Sequence, residues 1–547
     1  MTDRCFLISS DDLETVETRM IGMMITDDGK IWMDEMPPQR NGTGCYVLIE
    51  RAKGIIRITQ DHCGSFGLFL FRDESGFLLS NSFFLLAETA ADKLSLNREY
   101  LMTLICTREC PVGHNATLAR EIVRLSSDEF VEIDPVSKRL SVIRKPRMLF
   151  GRKPETDEDF ALLDKWYFKW VRFFRTLAEK RAPFFADLSG GLDTRIILSM
   201  LLNGEIDLNT AVRMTTHDYV NIPKDAEDMR IAGIIAKELG IHMNTDLVRT
   251  QKVGWISPQE TYRVSRQFTM GQTNYCRLHS TFYREPVFFA KGLGSTIKGS
   301  VAEDGKAWPG MEEALAEWYA GADTLLDMLP ETEKREEIRT TVKKAIRHGA
   351  DTLMAGVQGD SDHRASVFYQ KVLMEGRDAK KILDSTLRNT VIVSPFMDPM
   401  INQFDYNPYG DDPLYLATMI LSRYRPELLR FEIEHRMFMP VSVRRAEELN
   451  RKHPVRKPAF GRISGGIQFV EADCCAYEEV TKYLEQMYAS EDFFRRIDRV
   501  IGSDMRRAVL NETPANLHQK RPYRPYALMA LYEFLKVTEQ ESGDSSG

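Results

Sequence analysis

The stretch FFADLSGGLDTRIILSML, Phe184–Leu201, decides how this chain is read. Its apolar run Phe184–Leu188 reads as a buried strand, Ser189-Gly190-Gly191 as a tight turn, and the residues from about Leu192 as a helix. A glycine pair between strand and helix lets the backbone approach a ligand closely and turn its N–H groups inward. The helix N-terminus adds unpaired donors and a partial positive charge, which suits phosphate. Ser189 offers a hydroxyl to the same anion. Asp193 in the first turn would repel phosphate unless a cation lay between them, so it points to Mg²⁺ bridging carboxylate and phosphate oxygens. Arg195 is a candidate to neutralise an anionic product. A plainer reading makes Ser189 a helix N-cap and Asp193 a favourable first-turn acid. The spacing is neither that of the GxxxxGK[ST] loop nor that of the GxGxxG fingerprint.

Outward from this stretch, short apolar runs alternate with helical segments. Asp157–Arg181 reads as a helix, and Trp166–Phe174 (WYFKWVRFF) as core or interface packing. Thr210–Thr216 and Val287–Gly292 are further strand candidates, and Asp225–Leu239 is a helix with Ala232, Ile235, Ala236 and Leu239 on one face. Alternation of this kind predicts a parallel sheet covered on both faces. Beyond about residue 310 the pattern is mainly helical, and the last ten residues read as a disordered tail. Toward the N-terminus the pattern is β-rich. Cys45–Glu50 and Gly54–Asp61 are short β-branched runs, Leu68–Ser82 and Glu129–Arg144 are hairpins, and a helix is expected near Asn97–Cys106. The expected fold class is α/β. A β-rich α+β domain spans residues 1–150, a parallel-sheet domain with a helical C-terminal part spans 151–537, and a tail follows at 538–547.

A length of 547 residues favours two domains. The formal net charge of -7 argues against a dedicated nucleic-acid or anionic-membrane binder, which would carry a basic surface. No apolar run reaches membrane-spanning length, and the start MTDRCFLISSDD lacks signal-peptide character, so a cytoplasmic protein is expected. The eight cysteines show no paired CxxC set, and read as reduced thiols.

SGGLDTR (Ser189–Arg195) resembles the SGGxDS signature of the PP-loop ATP pyrophosphatases, with Thr194 keeping the hydroxyl of the usual Ser. Other segments are similar to the asparagine synthetase-like family within that group, in the same order. They are Ile58–Ser82, Gly113–Ile133, Asp225–His242 and Val393–Phe404 (VSPFMDPMINQF). The resemblance implies a degenerate glutamine amidotransferase-like (Ntn-hydrolase-like) domain followed by a PP-loop (HUP-like) synthetase domain. It implies ATP and Mg²⁺, with Ser189, Gly190, Gly191, Leu192, Asp193 and Thr194 holding pyrophosphate and Asp193 facing the metal. Val212 falls where the family's backbone recognises adenine, and Gly292 and Gly294 match its glycine-rich loop. A late lysine, Lys452 or Lys457 in NRKHPVRKPAFG, would stabilise charge as the adenylate breaks down; a solvated loop is the other reading. Asp228 either lines the nucleotide site or is an exposed helix acid. Asp398 either shapes the substrate side or makes an Asx turn before Pro399.

The implied reaction adenylates a small-molecule or peptide carboxylate and passes it to an amine or ammonia. A partner protein could supply either reactant. β-Lactam synthetases and lasso-peptide cyclases, which close a ring internally, belong to the same family. A non-catalytic nucleotide-binding relative is an alternative, and a tRNA-modifying enzyme a remoter one. Two departures stand out. The family's terminal cysteine is missing: the chain begins Met1-Thr2-Asp3-Arg4-Cys5, so glutaminase activity is not expected, though Thr2 has nucleophile chemistry in principle. The loop GLGSTIKGSVAEDG (Gly292–Gly305) lacks an acid at the family's metal position; Glu303 and Asp304 lie farther along, and Lys298 could meet phosphate directly.

Overall fold

The structure, a computed structural model, describes residues 4–106, 115–145, 151–216, 223–243, 246–270, 281–293, 311–330, 332–354, 368, 375, 379–405, 408–410, 412–433, 437–510 and 523–539. Ten strands fill the N-terminal region. They are β1 (Leu7–Ser9), β2 (Arg19–Thr26), β3 (Ile31–Met33), β4 (Gly42–Ala52), β5 (Ile55–Gln60), β6 (Leu68–Asp73), β7 (Gly76–Ser80), β8 (Ile122–Leu125), β9 (Glu129–Asp134) and β10 (Arg139–Arg144). They form two antiparallel sheets, ordered β1-β7-β6-β8 and β10-β9-β5-β4-β2-β3. Alternate residues of both sheets, such as Val47, Ile49, Ile56, Ile58, Leu68, Leu70, Phe77 and Leu79, meet in one apolar cluster. Both expected hairpins form. In the first, Asp73 Oδ1 accepts the N–H groups of Ser75 (2.8 Å) and Gly76 (3.2 Å), which closes the turn.

Helices α1 (Phe83–Thr89) and α2 (Arg98–Cys106) interrupt these strands. Helix α3 (Asp157–Glu179) opens the second half with a capping box between Thr156 and Asp159. Its Trp166, Tyr167, Trp170, Phe173 and Phe174 are buried, so the aromatic run is core. After it come β11 (Phe184–Asp187), α4 (Leu192–Asn203), β12 (Arg213–Thr215), α5 (Pro223–Leu239), β13 (Val248–Trp255), α6 (Pro258–Thr269), β14 (Thr281–Tyr283) and β15 (Val287–Ala290). The C-terminal part holds α7 (Met311–Leu326), α8 (Glu333–Met354), α9 (Ala379–Thr386), β16 (Thr390–Val393), α10 (Tyr415–Tyr424), α11 (Pro440–Lys452), β17 (Gln468–Cys474), α12 (Tyr477–Tyr488), α13 (Glu491–Ile501), α14 (Ser503–Leu510) and α15 (Tyr523–Glu539).

The expected parallel sheet is present, ordered β12-β11-β15-β16 with every neighbouring pair parallel. Its strand β16 lies in the region read as helical. A bridge between Met214 and Met243 extends the far edge. A fourth sheet, β13-β17-β14, was not foreseen; β13 and β17 are 220 positions apart in register, Val248 with Gln468. It packs Val248 and Val470 against Phe185 and Val287 of the parallel sheet.

One cluster joins α1 and α2 to α6, α7, α8 and the four last helices. Helix α15 runs to Glu539, two residues into the expected tail of 538–547; the rest of that tail lies outside the described residues. Cys5, Cys45, Cys474 and Cys475 are free thiols, and no described helix is long and apolar enough to cross a membrane.

Candidate functional site at the carboxyl end of the parallel sheet

Strand β11 is first in sequence among the four parallel strands and central in space. The chain leaves it toward β12 on one side, while β15 and β16 extend the sheet on the other. Connections that depart in opposite directions leave a crevice above the strand's carboxyl end, where open α/β sheets bind ligands. The Ser189–Gly191 turn occupies that position.

The turn is braced by its own hydroxyls. Thr194 Oγ1 accepts the Ser189 N–H at 3.1 Å and donates to the Gly191 carbonyl at 3.3 Å. Ser189 Oγ accepts the Gly191 N–H at 3.1 Å and lies 3.1 Å from Thr194 Oγ1. Ser189 is half-buried, whereas Gly190, Gly191, Leu192, Asp193 and Thr194 are buried. Gly191, not Ser189, is the N-cap of α4, and it supplies no side-chain cap. The N–H groups of the first turn therefore have no capping side chain, and a ligand anion would complete them. Leu192 sends its side chain into the core and contributes only backbone.

Close packing explains the glycines. A Cβ on Gly190 would lie 2.7 Å from Asp228 Oδ1 and 3.0 Å from Ile231 Cδ1, so α5 sits directly on the turn. A Cβ on Gly292 would lie 2.2 Å from Asp193 Cβ, so the segment after β15 packs on the loop's acid. Asp228 is thus beside the loop and is not an exposed helix acid. Arg195 is fully buried and is not aimed at a ligand. It donates to the carbonyls of Phe431 (2.9 Å), Glu432 (2.5 Å) and Gly190 (3.3 Å), tying the turn to the chain after α10. Burial lowers its pKa to about 10.

Three residues that the sequence reading passed over also gather here. Asp187, Thr215 and Lys291 stand at the ends of adjacent strands. Thr215 Oγ1 donates to Asp187 Oδ1 at 2.7 Å, and Lys291 Nζ lies 3.5 Å from Asp187 Oδ2. The signal was an acid closing the apolar run FFAD and a lysine closing VFFAK.

Other expected site residues are elsewhere. Val212 precedes β12 and is buried at that strand's amino end, away from the turn, because the strand begins only at Arg213. Lys457 Nζ donates to the Tyr424 carbonyl at 2.9 Å, the same oxygen that Asn203 approaches at 3.2 Å. Asn203 ends α4, and a helix of 12 residues spans about 18 Å. Lys457 is therefore at the opposite end of α4 from the loop. Lys452 closes α11 at the same remote end, next to His453, whose carbonyl binds Arg423. The run NRKHPVRKPAFG follows the far side of the helix, so neither lysine meets the loop. Asp398 makes the Asx turn, accepting the Met400 N–H at 2.9 Å, and is fully buried. Gly294, Lys298, Glu303, Asp304 and Thr2 lie outside the described residues. Cys5 is packed at the start of the first sheet, and burial pushes its thiol up to about 11, a thiol rather than a thiolate at neutral pH.

Among the described residues no three His, Cys, Asp or Glu side chains are arranged to hold a metal by themselves. Mg²⁺ does not need such a cage; it binds through one or two carboxylates, ligand phosphates and water. Asp193 would supply the one carboxylate, and the uncapped N–H groups beside it would hold the phosphates whose oxygens complete such a site. The chain matches no family model and no curated protein.

Proposed function

We propose that the protein is an ATP-dependent, amide-forming ligase with asparagine synthetase-like chemistry and without glutaminase activity. ATP would supply AMP to a carboxylate and an amine would then displace that AMP. The observation that carries this reading is the Ser189–Asp193 turn at the switch point of a parallel sheet, with an acid in the first turn of α4. The N–H groups of Leu192 and Asp193 and the Ser189 hydroxyl would hold pyrophosphate in place. Mg²⁺, when bound through Asp193, would screen the charge between carboxylate and phosphates. Arg195 donates to the Gly190 carbonyl and would offset that oxygen's negative end near the anion. Asp228 and Gly292 close the loop's two sides.

The absence of Lys452 and Lys457 from the loop favours a second reading, a nucleotide-binding relative without ligase chemistry. ATP–pyrophosphate exchange over a pool of carboxylic acids separates the two. The ligase reading expects exchange that falls about a hundredfold or more in Asp193→Ala, a loss typical of removing a group that stabilises developing charge. Gly292→Ala, whose new methyl would displace Asp193, should lose exchange as well. Mg²⁺-dependent ATP binding without exchange would favour the second reading, and no binding at all would sink both.

A further inference from the structure

Strands β12, β11 and β15 end level with one another. Asp187 pairs in register with Thr215, and Ala186 with Ala290, so Lys291 stands next to Asp187 across the sheet. The Lys291 backbone is fixed, its N–H donating to the Val393 carbonyl at 3.0 Å. Its side chain is less tightly held. Charge-assisted N–H···O bonds close to about 2.7–2.9 Å, whereas Lys291 Nζ stays 3.5 Å from Asp187 Oδ2. Asp187 is 11% exposed and Lys291 29%, so the ammonium is the outer member of the pair. Thr215 orients the carboxylate from the other side. The residue following Lys291 is Gly292, which packs on Asp193. The lysine is thus one residue from the segment that touches the loop's acid. Asp187, Asp193 and Asp228 put three carboxylates around this crevice, an unfavourable setting for a polyphosphate unless cations offset them.

We propose that Lys291 is a binding residue for the pyrophosphate moiety of the ligand, held ready by Asp187 and Thr215. The inference rests on the nucleotide reading above. A lysine on a flexible four-carbon stem can leave a loose, partly solvated pair at little cost and turn to a stronger anion. A second carboxylate for a second metal ion is then unnecessary, because Lys291 supplies the charge directly. Asp187 acts through the lysine, as the resting partner that the ammonium leaves when pyrophosphate binds.

Calorimetric titration of the full chain with inorganic pyrophosphate, and separately with AMP, in the presence of Mg²⁺ tests this. Loss of one charge-assisted contact should weaken pyrophosphate binding by roughly tenfold or more in Lys291→Met. AMP affinity should be unchanged, and Lys291→Arg should recover most of the loss. Asp187→Asn, which releases the lysine, should bind pyrophosphate at least as tightly as the parent. Without any substitution, pyrophosphate should protect Lys291 from acylation, read by mass spectrometry. Parent-like pyrophosphate affinity in Lys291→Met, or no protection, would overturn the role of Lys291 and leave the nucleotide reading intact. A parent protein that binds neither ATP nor pyrophosphate overturns both.

Discussion

Lys169 Nζ lies 2.7 Å from Asp398 Oδ2, and neither side chain reaches solvent. The same ammonium donates to Thr43 Oγ1 at 2.8 Å, and Trp170 Nε1 donates to the same carboxylate oxygen at 3.0 Å. The pair thereby joins β4 of the N-terminal sheets, α3, and the segment that leaves β16. Removing one partner of a buried ion pair strands the other charge and costs about 3–5 kcal/mol. Asp398→Asn keeps the shape but removes the charge, so its urea midpoint should fall by an amount in that range. Lys169→Met combined with Asp398→Asn should recover much of the loss, since no buried charge is then left unpaired and the amide oxygen can still accept from Met400 or Trp170. Equal stability of Asp398→Asn and the parent would show that the pair does not join the two halves.

Lys457 gives a prediction in the opposite direction. Its ammonium is bonded to the Tyr424 carbonyl at the far end of α4, and burial, with Arg425 nearby, lowers its pKa. Lys457→Ala should change exchange activity and nucleotide affinity by no more than about twofold, as for a substitution away from the site. A hundredfold loss in steady-state assays of that variant would return the lysine to the chemistry.

What the sequence revealed, and what it hid, follows from range. Strand, turn and helix at Phe184–Leu201 depend on local residue types, and so do the hairpins closed by Asp73 and Asp134; these were legible. Val212 stands one residue before the strand it was read in, because an apolar run does not show where pairing begins. The sheet β13-β17-β14 was invisible because β13 is mostly polar and exposed and the three strands find each other only through the fold. Lys452 and Lys457 were plausible by composition alone; only the course of the chain past Asn203 separates them from the loop. Asp187, Thr215 and Lys291 are each unremarkable in sequence, and become a set only when three parallel strands end side by side.

Asp61 and His62 make the last case, in which two neighbours hide each other. Asp61 is fully buried and accepts hydrogen bonds from the N–H groups of Tyr46, Cys63 and Ser65 and from the Ser65 hydroxyl. Burial outweighs those bonds and raises its pKa to about 6. Part of His62 remains exposed, yet burial of its ring lowers the imidazole to about 4, against the pull of Asp398 and Glu375. The unfolded chain has values near ~3.9 for Asp and ~6.5 for His. Between about pH 4 and 6 the folded protein keeps a proton on Asp61 that the unfolded chain releases, so this term loses stability as pH rises. Across about pH 4 to 6.5 the unfolded chain takes up a proton on His62 that the folded protein refuses, so this term gains stability as pH rises. The two oppose each other over nearly the same window. His62→Gln removes only the second, so urea midpoints of that variant should decline from pH 4 to pH 6 relative to the parent, whose own profile is flatter. Parallel profiles for variant and parent would show that His62 is not held neutral by the fold.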